Sequence, residues 1–422
     1  MGMGSELSMA ARVEITQKYA RAYAQASKKT RSELLDEVVA VTGWSRDNAR
    51  RRLSAAARPG PRPVARARKP HPRKFSYDAT KTLQKVWAFS GGQCGKYLAA
   101  VMEDLLDSLE RHGELVFSKA RYSPEVRSEL LSMSAATIDR YLAPARQKDP
   151  LRGICTTKPS PLLRTSIQIR KAGDEVETMP GFFEGDTVAH CGPTARGEFC
   201  RTLNLTDMHT GWTFTRSTQN NAHLHILAAL TAAVEAIPFE VTGLDFDNGS
   251  EFINHDVINW AADKKIFFTR SRPYRKNDQA TIESKNNHLV RRYGFYWRYD
   301  NTDALMVLNQ LWPLVNDRLN YFTATKKPIS WKTDSNGRRT RVYDDPATPF
   351  QRLLNAGVLS LAQERELVEY RKRLNPADLA RRIRSLQDRL VVIARRPTQD
   401  LEASLTAAIP DTGHGVRVKK AS

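Results

Sequence analysis

Cysteine is scarce in this sequence and follows no metal-binding or redox pattern. The 422-residue chain contains four cysteines, and no two of them form a Cys-x-x-Cys pair. This scatter argues against a disulfide framework and against a zinc ribbon, and it fits a reducing compartment. His190, Cys191 and Cys200 lie near one another in the sequence, but their spacing matches no standard zinc site.

Long apolar runs and a balancing number of acidic residues are also missing. No run of about 18 apolar residues occurs and the N-terminus has no apolar signal core, so we expect neither a membrane span nor a secretory signal. Only 46 acidic residues accompany 66 basic ones, which gives a net charge of +20 and an isoelectric point near 9.9. This excess favours nucleic acid as the partner, although a basic surface that serves only solubility is the alternative.

The length and the changes in composition along the chain predict several segments. A chain of 422 residues suggests about two to four domains, and an apolar fraction of 41% is enough for packed cores. The predicted segments are a helix-turn-helix DNA-binding domain at 1–56, a basic proline- and arginine-rich linker at 57–76, a second helix-turn-helix-like helical domain at 77–150, a linker at 151–179, a catalytic core at 180–324, a small β-rich segment for DNA or a partner at 325–358, C-terminal helices at 359–396, and a disordered basic tail at 397–422.

The first segment has the pattern of a helix-turn-helix DNA reader. Apolar residues at helical spacing predict three helices in residues 9–55. Gly43 makes a turn and Ser45 can cap the third helix, which is rich in arginine. A three-helix bundle with a solvated basic face is the alternative. The candidate DNA contacts on the third helix are Arg46, Asn48, Arg50 and Arg51.

The linker that follows is both basic and unable to form regular structure. Proline and glycine break helices in residues 56–74, and arginine and lysine alternate with them. Such a segment can follow a phosphate backbone or enter a minor groove, while a passive charged tether is nearly as good an interpretation. The candidate contacts are Arg62, Arg66 and Arg68.

Residues 77–145 return to helical patterns and end in a second helix-turn-helix-like unit. Ser134 is a predicted helix cap, and the small residues after it permit a close approach to DNA. Thr137, Asp139 and Arg140 are therefore candidates for contacts with base edges. Two such units joined by a basic linker suit a long, bipartite DNA site.

From residue 181 the pattern changes from helical to mixed. Strand, strand, strand, helix, strand, helix, strand and helix follow one another, which indicates a mixed sheet covered by helices. Asp186 lies on the first strand, Asp247 at the end of the fourth, and Glu283 on the last helix, with 35 residues between the last two. Ligand sites in such sheets gather at strand ends, so we expect the three carboxylates to converge. Carboxylates suit a pair of Mg²⁺ ions about 3.5–4 Å apart, which phosphodiester chemistry uses.

Other residues compete for these roles. Asp245 shares a strand face with Asp247, but the Asp-Asn-Gly turn after the strand favours Asp247. Glu184 shares a face with Asp186 in the same way, and we prefer Asp186 because we expect it at the end of its strand. His190 either helps to position a substrate or has a structural role, and for a lone histidine the structural role is the more common one.

These motifs resemble the catalytic core of the retroviral-integrase superfamily, and more closely that of bacterial insertion-sequence transposases. The resemblance rests on an Asp-Thr strand followed by His-Cys-Gly, on Asp-Asn-Gly-Ser-Glu-Phe at 247–252, on Arg-Pro-Tyr-Arg-Lys-Asn-Asp at 272–278, and on the 35-residue spacing. It is strong over residues 180–300. Retroviral integrases also carry an N-terminal zinc-binding domain, whose ligands this sequence lacks, so zinc is not expected.

The resemblance implies a ribonuclease H-like core and a DNA transposase that depends on two Mg²⁺ or Mn²⁺ ions held by Asp186, Asp247 and Glu283. It implies hydrolysis at the terminal inverted repeats of a mobile element, and then attack of the freed 3′-hydroxyl on target DNA. Joining two ends predicts a dimer or larger homo-oligomer on double-stranded DNA, in the bacterial cytoplasm at the nucleoid. A non-catalytic DNA-binding regulator on the same fold and a metal-dependent nuclease are the alternatives.

Basic and polar residues surround the proposed site. They can grip phosphates next to the cut, although for any single residue a solvated surface is an equally good interpretation. The candidate contacts are Arg272, Arg275 and Lys276 in a loop, and Lys285, Asn287, Arg291 and Arg292 on the helix of Glu283.

The C-terminal part predicts a hairpin or a small barrel, followed by two helices. A Ser-Asn-Gly turn at 335–337 lies between polar β-like arms, and residues 360–395 are helical with a break at Asn375 and Pro376. The apolar stripe of the second helix either pairs with another subunit or packs on the chain's own core. Its residues are Leu379, Ile383, Leu386 and Leu390. The predicted fold class is therefore multidomain α plus α/β: N-terminal helix-turn-helix units, a central ribonuclease H-like mixed sheet flanked by helices, and a C-terminal β segment with helices.

Overall fold

The computed structural model describes residues 7–57, 74–147, 168–170, 178–246, 252, 255–271, 286–333 and 339–407. The chain divides into two compact units, Met1–Arg73 and Lys74–Ser422. Among the helices in the described ranges, none is both long and apolar enough to cross a lipid bilayer.

The first unit is a bundle of three helices, as the sequence predicts. The helices are α1 (Met9–Gln25), α2 (Lys28–Thr42) and α3 (Arg46–Ala57). Gly43 ends α2 in the left-handed conformation, with φ of 68°, which glycine adopts without steric cost. The hydroxyl of Ser45 accepts a hydrogen bond from the Asn48 backbone N–H at 3.4 Å, so the predicted cap of α3 is confirmed. Tyr23, Leu35, Val38, Trp44, Ala49 and Leu53 form the core of this unit.

The second unit begins with five helices that share their core with the rest of the unit. They are α4 (Tyr77–Phe89), α5 (Gly95–Ala100), α6 (Met102–Arg111), α7 (Pro124–Ser132) and α8 (Ala135–Arg146). Their buried residues belong to the same continuous hydrophobic cluster as those of the central sheet. The Gln93 amide also donates a hydrogen bond to the Phe322 carbonyl at 3.0 Å. The helices predicted as a separate domain at 77–150 are thus packed onto the core.

A six-stranded mixed sheet forms the centre of the second unit. Its strands are β1 (Gln168–Arg170), β2 (Phe182–Ala189), β3 (Arg201–Asp207), β4 (Thr213–Thr218), β5 (Gly243–Phe246) and β6 (Phe267–Ser271). The helices α9 (His223–Ala236) and α10 (His255–Asp263) follow β4 and β5. The strand order is β1-β6-β5-β2-β3-β4, in which β3 runs antiparallel to β2 and β4 and the other pairs are parallel. The predicted mixed sheet is confirmed, whereas β1 lies in the segment predicted as a linker.

In the described part of the chain, eight further elements follow the sheet in the sequence. They are a π-helix (Asn286–Arg291), α11 (Arg292–Gly294), α12 (Thr302–Phe322), β7 (Pro328–Thr333), β8 (Arg339–Tyr343), α13 (Pro349–Ala356), α14 (Leu361–Arg373) and α15 (Pro376–Ala407). Two of them, the π-helix and α12, pack against the strands of the sheet. The strands β7 and β8 form the predicted antiparallel hairpin. The helical break at Asn375 and Pro376 is also confirmed.

The last helix continues beyond the predicted start of the disordered tail. The boundary predicted at 396 is wrong, because α15 runs to Ala407 and its residue Thr398 is only 4% exposed. The Thr398 hydroxyl accepts a hydrogen bond from the Arg298 backbone N–H at 3.1 Å, which explains why the helix persists past Pro397. Residues 408–422 lie outside the described part of the chain. Leu379, Ile383 and Leu390 are buried in the chain's own core, so the second interpretation of the apolar stripe is confirmed.

Candidate functional site

Asp186 lies where the described pairing between two neighbouring strands ends. The last residue of β5, Phe246, pairs with Gly185, and Asp186 is the next residue of β2. Asp186 is therefore inside β2, three residues before Ala189, and not at the strand end that the sequence suggests. The Asp186 carboxylate is half-buried and comes directly after the last described pair between β2 and its parallel neighbour β5. Open α/β sheets collect ligand-binding groups at the carboxyl ends of their parallel strands.

Two asparagines position the Asp186 carboxylate. The Asn286 side-chain amide donates a hydrogen bond to Asp186 Oδ2 at 2.5 Å, and the Thr187 backbone N–H donates one to Oδ1 at 2.7 Å. The Asn286 Oδ1 accepts a hydrogen bond from Asn204 Nδ2 at 3.1 Å. Asn204 is fully buried and lies directly opposite Asp186 in the β2–β3 register. The carboxylate is thereby held by a chain of two amides that reaches into the protein interior.

Sequence reasoning missed Asn286 and chose its neighbour Asn287. The sequence spacing could have pointed to Asn286. It follows Glu283 by three residues, which is about one turn on a helix. The Asn287 side chain lies outside the described residues. So do Asp247, Glu283, Arg62, Arg66, Arg68, Arg272, Arg275, Lys276 and Lys285, for which the sequence-based assignments remain predictions.

The described part of the site offers one carboxylate to a magnesium-type ion. The oxygens of Asp186 are the hard ligands that Mg²⁺ prefers, whereas Asn286 Oδ1 is already engaged by Asn204. Asn204 Oδ1 is buried and has no hydrogen-bond partner among the described residues. Within those residues no group of three His, Cys, Asp or Glu side chains could hold a metal ion. Asp186 is the described one of the three carboxylates that the sequence predicts for a metal site.

The competing acidic residues on the sheet are buried and serve the fold. Asp245 is 2% exposed and accepts a hydrogen bond from the Thr269 hydroxyl at 2.6 Å. Glu184 pairs with Asp245 in the β2–β5 register and is buried as well. Asp207 accepts hydrogen bonds from the backbone N–H groups of Gly181 and Thr210, which stabilises the turn between β3 and β4.

His190 has the structural role that is the more common one for a lone histidine. It is completely buried, and its Nε2 forms a hydrogen bond with the Thr202 hydroxyl at 2.7 Å. Burial, and then the nearby Arg291 guanidinium, lower the pKa of His190 well below its usual range, so the ring is neutral. Burial raises the pKa of the Cys200 thiol to about 12, which disfavours the thiolate that zinc would need.

Two predicted DNA contacts on the helix of Glu283 are used inside the protein. Arg291 is 8% exposed and donates a hydrogen bond to the Ala189 carbonyl at 2.9 Å. Arg292 donates one to the Gly91 carbonyl at 2.7 Å. Arg291 ends the π-helix and Arg292 begins α11, and the contacts of both residues with DNA remain predictions.

Thr137 also turns inward. It is buried, and its hydroxyl contacts the Ser134 hydroxyl at 3.0 Å, while Ser134 caps α8 as predicted. Arg140 donates a hydrogen bond to the same Thr137 hydroxyl at 3.2 Å. Asp139 accepts one from the Gly95 backbone N–H at 2.7 Å, where Gly95 closely approaches α8. Asp139 thus joins α8 to α5, whereas the Thr137 contacts lie within α8 and its cap. The contacts of both residues with base edges remain predictions.

The arginines of α3 differ in the contacts that their side chains make within the first unit. Arg46 forms an ion pair with Asp36 and a hydrogen bond with Ser32 of α2. Arg50 and Arg51 are exposed, and Arg50 lies 3.5 Å from Asp47 on the same helix. An exposed ion pair of this kind is weak. The guanidinium groups of Arg50 and Arg51 can therefore still contact phosphates.

Comparison with known families identifies the class of the domain that contains the mixed sheet and Asp186. A family model described as an integrase core domain matches residues 178–276. An uncharacterized protein of Sinorhizobium fredii, y4rM, is 35% identical over 350 residues, which cover 83% of this chain and 97% of that protein. The chain therefore belongs to this family of integrase-core proteins, whose general activity is polynucleotidyl transfer.

Two solved structures are similar to part of the chain. The catalytic core domain of BIV integrase is 16% identical, covers 45% of this chain and 98% of its own, and gives a TM-score of 0.28. The simian T-cell lymphotropic virus intasome in complex with PP2A regulatory subunit B56 gamma is 14% identical, covers 43% of this chain and 73% of its own, and gives a TM-score of 0.29. The family assignment rests on the family model and the full-length relative.

Proposed function

We propose that this chain is a bacterial DNA transposase that cuts the ends of a mobile element and joins them to target DNA. The observation that carries the proposal is the Asp186 carboxylate, which lies on β2 within the region that the integrase-core model matches and is held by Asn286. In the reaction, water attacks a phosphodiester at the element end and releases a 3′-hydroxyl. That hydroxyl then attacks a target phosphodiester, and the old bond breaks as the new one forms.

The residues proposed to carry the chemistry are Asp186, Asp247 and Glu283, which would hold two Mg²⁺ or Mn²⁺ ions. When bound, these ions would activate the attacking oxygen and stabilise the leaving one. Asn286 keeps Asp186 Oδ2 in one orientation. Asn204 Nδ2 donates a hydrogen bond to Asn286 Oδ1, which fixes the rotamer of Asn286. Because no side chain attacks the phosphate, the proposal assigns no nucleophilic serine or tyrosine.

DNA recognition is proposed for the basic parts of the chain outside the core. Arg50 and Arg51 of α3 and the basic linker would contact the terminal inverted repeats, and phosphate contacts of this kind weaken with salt. Because two element ends must be joined together, the active form would be a dimer or a larger assembly on DNA. A location at the nucleoid of a bacterial cell follows from this partner.

The experiment that tests the proposal is a strand-transfer assay with the native element ends, a second duplex as target and Mg²⁺. We expect cut 3′ ends to become joined to the second duplex, EDTA to abolish both steps, and added Mg²⁺ to restore them. Cutting without joining would support the metal-dependent nuclease instead. End binding without cutting, at every divalent ion tried, would support the non-catalytic regulator.

A second prediction concerns the amide that holds the carboxylate. Asn286→Ala removes the hydrogen bond to Asp186 Oδ2, and loss of such an orienting partner typically weakens metal binding about 10–100-fold. Calorimetric titration of the full chain with Mg²⁺ measures this directly, without DNA. The matched control is Asn220→Ala, because Asn220 lies on the surface between β4 and α9. Equal Mg²⁺ affinity in Asn286→Ala and the wild type would remove Asn286 from the site.

A further inference from the structure

A cavity of about 750 Å³ lies beside the outer strand of the sheet and has no part in the proposed reaction. Its walls come from β4, from the end of α9 with the residues that follow it, and from α12 and α14. Asp186, Asn204 and Asn286 are not among the residues that line it. The cavity therefore calls for a ligand of its own.

The edge of β4 is closed at both ends and open in the middle. The Asn320 side chain accepts a hydrogen bond from the Thr213 backbone N–H at 2.8 Å and donates one to the Thr213 carbonyl at 2.9 Å. The Asn309 side chain likewise accepts a hydrogen bond from the Ser217 backbone N–H at 2.9 Å and donates one to the Ser217 carbonyl at 3.0 Å. These amides exclude an added β-strand. Thr215, between the two bridged residues, lines the cavity together with other residues of β4.

Acceptor groups are concentrated at this central position. Thr215 Oγ1 and Asn316 Oδ1 are buried and have no hydrogen-bond partner among the described residues, and both residues line the cavity. Thr215 as a whole is 3% exposed. One turn earlier on α12, Pro313 has no N–H group, so the Asn309 carbonyl cannot receive the usual helical hydrogen bond from that position.

A carboxylate completes this inner end. Asp317 lines the cavity and accepts hydrogen bonds from the Tyr370 hydroxyl at 3.1 and 3.0 Å, and burial raises its pKa to about 6. Arg382 acts on Asp317 electrostatically, but its guanidinium lies 3.6 Å from Asp378 on its own helix. Asp317 thus adds a carboxylate to the wall that also holds the two unpaired oxygen atoms.

The walls next to these acceptors are aromatic. Trp212 packs edge-on against Phe239 and Tyr321, with ring centroids 6.1 and 5.4 Å apart, and Tyr370 follows Tyr321 at 5.6 Å. Aromatic faces attract cations and also accommodate methylene groups. The mouth carries charges of both signs on exposed or rim residues, namely Arg216, Glu366 and Arg373. The selective charge is therefore that of Asp317 at the inner end.

We propose that this cavity binds an alkylguanidinium group. A planar guanidinium has five donors in a fixed fork, so it can bond a carboxylate through two of them while the others reach further oxygen atoms, which a single ammonium does less well. Its charge pairs with Asp317, its donors reach Asn316 Oδ1 and Thr215 Oγ1, and its alkyl chain lies along the aromatic wall. Agmatine has this chemistry as a small molecule, and an arginine side chain of a second copy presents the same group.

Calorimetric titration of the full-length protein with agmatine tests the proposal. We expect saturable one-site binding, and we expect Asp317→Asn to weaken it by about tenfold or more, because a charge-assisted hydrogen bond is lost. Asn316→Ala is a second variant that leaves the carboxylate in place, and it should also weaken binding. The matched control is Asp388→Asn, because Asp388 is an exposed acid on α15. This variant should bind agmatine with the affinity of the wild type. Absence of agmatine binding to the wild type, or equal binding to both cavity variants, would overturn the proposal.

A sedimentation arm identifies the source of the group. One outcome is that the wild type sediments as a dimer that agmatine dissociates, while Asp317→Asn sediments as a monomer. In that case the guanidinium comes from a second copy of this chain. If agmatine binds with no change in sedimentation, the ligand is a small molecule. Neither measurement uses DNA or Mg²⁺, so the outcome is independent of the proposed transposase activity.

Discussion

Asp186→Asn is expected to reduce strand transfer by about a thousandfold or more and to leave binding to the element ends unchanged. Asparagine keeps the shape of the side chain, and its amide oxygen can still accept the hydrogen bond from Asn286. The fold should therefore remain intact. The reduced rate comes from the lost negative charge, because a charged oxygen ligand contributes several kcal/mol to metal-assisted phosphodiester chemistry. A loss of about 4 kcal/mol corresponds to a thousandfold decrease in rate.

Single-turnover joining of pre-cut element ends isolates this step, while fluorescence anisotropy of labelled ends reports DNA binding. Asp256→Asn is a suitable control, because Asp256 is an exposed acid on α10 that contacts His223. It should join ends at the wild-type rate. Near-normal joining by Asp186→Asn, with Asp256→Asn also normal, would remove Asp186 from the chemistry and with it the proposed site.

The sequence predicts the order of the elements in the core because each carries a local signal. The apolar runs of β2 and β5 and the cap at Ser134 all depend on neighbouring residues, and the structure has each of them. The strand β1 has only three residues, too few to establish a period of two. Its identity as a strand depends on pairing with β6, which is distant in the sequence.

The errors near the site have a different origin, namely contacts between segments that are remote in the chain. Asn204 and Asn286 are 82 positions apart, and only the fold brings their amides together. Arg291, at the end of the π-helix, is buried although its charge suggested DNA. The same reasoning applies to Thr398, whose burial against Arg298 extends α15 into a segment that local composition assigns to a disordered tail.

The largest effect on stability is expected from Arg352→Met, which removes a buried cation that joins three segments of the second unit. Arg352 is 8% exposed, and its Nε donates to Asp344 Oδ2 at 2.8 Å. Its other donors bind the Thr325 hydroxyl and carbonyl at 3.1 and 2.5 Å and the Thr210 carbonyl at 3.3 Å. Methionine fills much of the same volume but leaves these acceptors unpaired, and breaking a buried ion pair from one side typically costs about 3–5 kcal/mol.

Urea unfolding of the full chain measures this loss, provided that the transition of the second unit is followed by its own probe. The midpoint for Arg352→Met should fall with the slope unchanged, because the mutation alters stability and not the surface exposed on unfolding. Arg365→Met is the matched control, since Arg365 is exposed on α14, and its free energy of unfolding should stay within about 0.5 kcal/mol of the wild type. Arg352→Lys should recover only part of the loss, because an ammonium cannot reproduce the planar fork that contacts Asp344, Thr325 and Thr210 together. A decrease below about 1 kcal/mol for Arg352→Met would mean that the three segments are held by their apolar packing rather than by this guanidinium.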